Sequence, residues 1–85
     1  MISFDFTVND KDGLHARPAG QLVKEAQKLD SVVTIRKGEK AADLRKLFAV
    51  MSLGVKQGET ITVEVEGGAE EANAEFVKQF LSDNF

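Results

Sequence analysis

The sequence predicts an α+β fold in which helices cover one face of a four-stranded antiparallel sheet, strand order 1-4-2-3. Three observations predict it. Apolar residues alternate with polar ones over residues 2–8 and 60–66, the pattern of strands with one buried face. They recur at helical spacing over residues 19–29 and again beyond residue 69. Turn-forming clusters between these segments divide the chain into the order β-α-β-β-α-β-α.

Each element has its own warrant. Ile2, Phe4, Phe6 and Val8 alternate with Ser3, Asp5 and Thr7 in a half-buried first strand. Asn9-Asp10-Lys11-Asp12-Gly13 is turn chemistry. A helix follows over residues 16–28, with Ala19, Leu22, Val23, Ala26 and Leu29 on its apolar stripe. Pro18 falls in the first turn, where a missing N–H costs nothing. Val32-Val33-Thr34-Ile35-Arg36 is a second strand, and residues 40–43 return from Lys37-Gly38-Glu39 as a short edge strand. Leu44, Leu47, Phe48 and Met51 mark a short helix over 44–53, stopped by Gly54. After the turn at 56–59, Ile61, Val63 and Val65 alternate with Thr60, Thr62, Glu64 and Glu66 in the clearest strand, which Gly67-Gly68 ends. A last helix puts Ala69, Ala72, Phe76, Val77 and Phe80 on one face, with Glu70 and Glu71 suited to its positive N-terminal end.

The first strand, helix and second strand form a right-handed crossover that leaves a gap in the sheet. Strand 60–66 fits that gap, antiparallel to both neighbours. The long helices have one apolar stripe each, so they stack on a single face. Helix 44–53 carries Leu44, Leu47, Phe48, Val50, Met51 and Leu53, more apolar surface than one stripe needs, so part of it is expected to face solvent.

Composition bounds the function. Eighty-five residues suit a single domain spanning 1–85. With 42% hydrophobic and 29% charged residues the chain is ordinary globular protein, not a disordered one. The absence of cysteine excludes disulfides, thiolate metal sites and a cysteine nucleophile. A single histidine excludes His-rich metal centres, and no metal is expected. No apolar run approaches the ~20 residues that span a bilayer. Met1-Ile2-Ser3-Phe4-Asp5 has neither the basic region nor the apolar stretch of a secretory signal, so a soluble cytoplasmic protein without membrane insertion is expected. A net charge of −3 argues against nucleic-acid binding. The charge is also uneven. Residues 1–58 hold ten basic and seven acidic side chains, whereas residues 59–85 hold seven acids and only Lys78. Such asymmetry orients a molecule on a charged partner.

His15 is the residue most suited to chemistry. It lies in Gly13-Leu14-His15-Ala16-Arg17-Pro18-Ala19, between a glycine turn and a helix start. The first N–H groups of a helix lack intrahelical partners and carry partial positive charge, so they stabilise an anion without a metal. A neutral imidazole is a nucleophile near neutral pH. If it accepts a phosphoryl group, the dianion meets the amides of the opening turn, Ala16 and Arg17. The guanidinium of Arg17 adds planar donors, while Pro18 stiffens the turn. No carboxylate inside this motif orients the ring, so Ser-His-Asp hydrolysis gains no support. No P-loop is present either.

The segment 13–19 resembles the active-site segment of the histidine-containing phosphocarriers (HPr) of the bacterial phosphoenolpyruvate-dependent sugar phosphotransferase system. Leu47-Phe48-Ala49-Val50-Met51-Ser52-Leu53-Gly54-Val55, followed by Gly58, resembles that family's short helix and the turn after it. Two separated motifs in register are a specific signal, and the resemblance covers essentially the whole chain. It implies an open-faced β-sandwich with three helices on one side of the sheet. It implies that phospho-enzyme I phosphorylates His15 on Nδ1, and that the group passes to sugar-specific IIA domains. Arg17 is then the charge partner of the phosphate. Leu47, Phe48 and Met51 belong to an apolar docking patch, at least one of them mostly core. Gly20, Gln21, Lys24, Arg45 and Lys46 complete the docking surface. Arg17, Gln21, Lys24 and Lys28, at i, i+4, i+7 and i+11, form a polar, largely basic stripe on the first helix, which Arg45 and Lys46 extend into a positive rim. The implied protein is a carrier and not a free-standing enzyme; it needs no cofactor and acts as a monomer.

One position departs from the family. Many members carry a regulatory serine at the start of the short helix, phosphorylated by a dedicated kinase. Lys46 stands at that place and cannot accept the group. Two other readings remain open: a regulatory module of the same fold that acts by docking alone, and an unrelated small α/β interaction domain.

Overall fold

The computed structural model describes residues 1–85. Strands β1 (Ile2–Thr7), β2 (Val32–Lys37), β3 (Lys40–Asp43) and β4 (Thr60–Glu66) form one sheet in the order β1-β4-β2-β3, with every pairing antiparallel. β4 is central: Val63 lies opposite Phe4 on one side and Ile35 on the other. Strand alternation sends Ile61, Val63, Val65, Val33, Ile35 and Ala42 to one face, where all are buried. Helix α1 (Ala16–Ala26) covers that face with Ala19, Leu22, Val23 and Ala26. Helix α3 (Glu70–Asn84) covers it with Ala74, Val77 and Leu81. Each large side chain removed from water there contributes on the order of 1.5–3 kcal/mol, before chain entropy is counted. The opposite face is open and polar. The Thr62 hydroxyl donates to Asp5 at 2.8 Å, and Arg36 Nε donates to Glu64 at 2.8 Å, so cross-strand pairs replace packing.

Two helices differ in extent from the sequence-based expectation, each for a local reason. α1 ends at Ala26 instead of residue 28, because the chain tightens there: the Lys28 and Leu29 amides reach back three residues, to Glu25 and Ala26. Lys28 therefore leaves the stripe of Arg17, Gln21 and Lys24. The short helix α2 spans only Leu47–Met51. Asp43 delays its start, since Oδ1 accepts the Arg45 amide and the carbonyl accepts the Lys46 amide. Leu44 lies in that turn, wholly buried, with its amide on the Val33 carbonyl.

The apolar face of α3 is also rotated from the expected one. Asn73, Ala74, Val77 and Leu81 are buried, Ala69 and Ala72 are exposed, and Phe76 is 39% exposed. Asn73 sets that rotation. Its amide donates to Asp30 Oδ1 and Ser31 Oγ, both at 2.7 Å, pinning the helix start to the chain between α1 and β2. No helix is long and apolar enough to cross a membrane.

Candidate functional site

His15 immediately precedes α1. Its backbone is extended (φ −85°, ψ 163°), and its side chain makes no capping bond, which leaves the ring free for other work. Its carbonyl accepts the Ala19 amide at 3.1 Å and so opens the helix. The Ala16 and Arg17 amides have no intrahelical acceptor and find no other hydrogen-bond partner. Pro18 has no N–H to satisfy. Two free donors and the positive end of α1 thus follow the imidazole directly in the chain.

The loop carrying His15 rests on the turn before β4. Gly13 has φ +66° and lies beneath Val55, whose carbonyl a Cβ would overlap. The next amide, of Leu14, donates to that carbonyl at 3.1 Å. Gly58 N–H donates to the Val8 carbonyl and Gln57 Nε2 to the Asn9 carbonyl. The segment Gly54–Gly58 is therefore the floor of the histidine loop.

The ring is held from two sides. Nε2 lies 3.2 Å from Asp10 Oδ2, and the Phe85 ring meets the imidazole edge-on at a centroid distance of 5.9 Å. Asp10 is itself fixed: Oδ1 accepts the Asp12 amide at 2.8 Å, and its own amide donates to the Phe85 carbonyl at 2.7 Å. The Asp12 amide holds the Asp10 carboxyl below its ordinary range, and the hydrogen bond and charge of His15 act in the same direction. The His15 side chain remains 37% exposed, open to a docking protein. The 13–19 motif itself holds no carboxylate to orient the ring, because Asp10 lies upstream in the turn. The signal available was that turn's acidic, Asx-rich composition. Phe85, at the far end of α3, had no sequence signal.

Asp10, Asp12 and His15 bring one ligand atom each within 4.8 Å of one another. They are the group with cation-binding chemistry, although both Asp10 oxygens are already engaged.

Arg17 is exposed and makes no ion pair or side-chain hydrogen bond. It lines an open groove of about 440 Å³ with Gly20, Gln21, Lys24 and Leu47. A Cβ at Gly20 would lie 4.0 Å from Leu47 Cδ2, so the groove narrows where α1 faces α2. Gln27 Nε2 ties the two helices together by donating to the Arg45 carbonyl at 3.0 Å. On α2, Phe48 is 88% exposed, and Leu47 and Met51 are half-buried. None of the three is core, contrary to expectation: Leu44, Val50 and Leu53 fill that role. Lys46 caps the helix start, exposed and unpaired. Arg45 is a weaker member of the rim than the sequence suggests. Its guanidinium grips Asp43, with Nη2 to Oδ2 at 2.8 Å and Nε to Oδ1 at 3.1 Å. The side-chain bond from Arg45 keeps the Asp43 carboxyl low, and Asp43 in turn pushes the Arg45 guanidinium up.

In class, this is an open-faced β-sandwich that presents one half-exposed imidazole at a helix start. A family model described as "PTS HPr component phosphorylation site" matches residues 2–83. The chain is 44% identical over 83 residues to the phosphocarrier protein HPr of Lysinibacillus sphaericus, covering 98% of this chain and 94% of that protein. It is 39% identical over 83 residues to the phosphocarrier protein HPr of Mycoplasma capricolum, covering 98% and 93%. A solved histidine-containing phosphocarrier protein of Mycoplasma superposes with a TM-score of 0.92 at 38% identity, covering 96% of this chain and 93% of that one. The chain belongs to the HPr family of phosphotransferase-system phosphocarriers.

Proposed function

We propose that this chain carries phosphoryl groups on His15, receiving them from phospho-enzyme I and passing them to sugar-specific IIA domains. One arrangement supports this reading above all: a half-exposed imidazole with Nε2 occupied by Asp10 and Nδ1 unengaged, followed by the free amides of Ala16 and Arg17. Transfer needs a phosphohistidine held firmly enough to travel and loosely enough to move on. Free backbone donors and one unpaired guanidinium give moderate stabilisation of the dianion, and exposure lets each partner's active site reach it.

Partner docking falls to Gly20, Gln21, Lys24, Arg45, Lys46, Leu47, Phe48 and Met51. Phe48 is the apolar anchor, and the unpaired cations Arg17, Lys24 and Lys46 steer acidic partners. The chain acts as a monomeric domain in the cytoplasm. It needs no cofactor and turns over only through its partners, because the histidine that accepts the group also gives it up.

The test is intact-mass spectrometry after incubation with phosphoenolpyruvate, Mg²⁺ and enzyme I. One acid-labile phosphate is expected on the wild-type chain and none on His15→Ala. Arg17→Ala is expected to stay folded and transfer more slowly. A wild-type chain that takes up no phosphate, or a His15→Ala chain that still does, overturns the proposal.

A further inference from the structure

We infer that Asp10 is a positioning residue for His15, one whose carboxylate keeps the ring hydrogen on Nε2 so that Nδ1 presents the lone pair. The inference rests on His15 being the phosphoryl acceptor. An ionised carboxylate only accepts hydrogen bonds, so the ring nitrogen 3.2 Å from Oδ2 is the donor. In a neutral imidazole the other nitrogen then carries no hydrogen. Nδ1 has no hydrogen-bond partner, so the free lone pair is the one a phosphoryl donor meets.

Asp10 cannot readily turn away. Its second oxygen holds the Asp12 amide, its backbone amide holds the Phe85 carbonyl, and the Phe85 ring flanks the imidazole. One aromatic residue therefore buttresses both the ring and the residue that orients it.

The same contact serves the transfer step. The Nδ1 lone pair forms the bond to phosphorus, the bond from phosphorus to the donor breaks, and its electron pair leaves with the donor. The Nε2 proton stays in place, so the product ring is an N-phosphoimidazolium whose positive charge faces the Asp10 carboxylate. A carboxylate paired with a catalytic imidazole stabilises the imidazolium in the same way elsewhere. It meets the ring at Nε2, away from the atom that takes the dianion, while Arg17 and the opening amides remain available to the phosphate.

Asp10→Asn tests this with minimal change of shape. The amide oxygen can still accept the Asp12 amide, but an NH₂ group now faces Nε2. That donor favours the opposite tautomer, with hydrogen on Nδ1. ¹⁵N NMR of the neutral ring is expected to show hydrogen on Nε2 in the wild type and a shift of population to Nδ1–H in Asp10→Asn. Phosphorylation by enzyme I is expected to slow by roughly ten- to a hundred-fold, the scale on which a metal-ligating histidine suffers when its hydrogen-bond partner is removed, with partial rescue by Asp10→Glu. A wild-type ring with hydrogen mainly on Nδ1, or an Asp10→Asn chain phosphorylated at the wild-type rate, overturns the inference. A wild-type chain that takes no phosphate overturns the acceptor reading instead, and the tautomer measurement still decides the role of Asp10.

Discussion

Gly13 lies directly beneath the carbonyl of Val55, in a left-handed backbone conformation and too close to admit a β-carbon. This contact links the two segments whose sequence patterns stand out, the histidine loop and the glycine-bounded turn after α2. Gly13→Ala is expected to cost more than the ~1–2 kcal/mol of left-handed backbone strain, because the loop must also lift off Val55. Chemical denaturation measures that loss. Phosphorylation of the residual folded chain should slow as well, since lifting the loop moves His15.

The positive rim separates into free and neutralised cations. Lys24 has no ion-pair partner, whereas Arg45 is gripped by Asp43. Lys24→Glu should lower the rate of phosphorylation by enzyme I at low salt, with the effect fading as salt screens it. Arg45→Glu should change that rate less and stability more, because it sets a second carboxylate against Asp43. Stopped-flow rates at two ionic strengths, with a melting curve for each variant, check the split.

Phe48 and Val50 are two residues apart and do opposite jobs. Phe48 projects into solvent and Val50 is buried at 2% exposure. Phe48→Ala should leave stability within about 0.5 kcal/mol of wild type and weaken partner binding. Val50→Ala should cost about 1–3 kcal/mol through the cavity it leaves, with docking preserved in the folded fraction. Calorimetric titration with enzyme I and urea denaturation distinguish them.

Acid should destabilise the fold. Asp10, Asp30, Asp43, Glu59 and Glu70 are all held below their ordinary values. Backbone amides lead for Asp10, Glu59 and Glu70, the Asn73 side chain for Asp30 and the Arg45 side chain for Asp43. The unfolded chain therefore takes up protons at higher pH than the folded one. Their contribution is complete above the ordinary carboxylate range and is lost as pH falls through the lowered values. Urea midpoints measured from neutral pH downward should stay level and then drop. Asp30→Asn should flatten the drop, because it removes one of the depressed groups.

The strands were legible because their alternation is strict: Ile61, Val63 and Val65 point inward as written, and the sheet order follows from the crossover. The histidine's place at a helix start was legible from Gly13 and Pro18. What was not legible depends on partners distant in sequence or on a single polar bond. α3 is rotated because Asn73 is drawn inward by Asp30 and Ser31, a contact spanning 43 residues for the first pair. α2 is short because the side chain of Asp43 captures the Arg45 amide, a competition that apolar spacing does not register. Asp10 carries no motif signal because it lies in the turn upstream of the His15 segment, and Phe85 carries none because α3 brings it back from the other end of the chain.

His15 Nδ1 is the proposed carrier atom, and every other role at the site depends on it. Correlated ³¹P and ¹⁵N NMR of the chain phosphorylated by enzyme I, with labelled histidine, tests it most directly. A single phosphorus coupled to Nδ1, with hydrogen retained on Nε2, is expected. A phosphorus coupled to Nε2, or attached to any other residue, contradicts it.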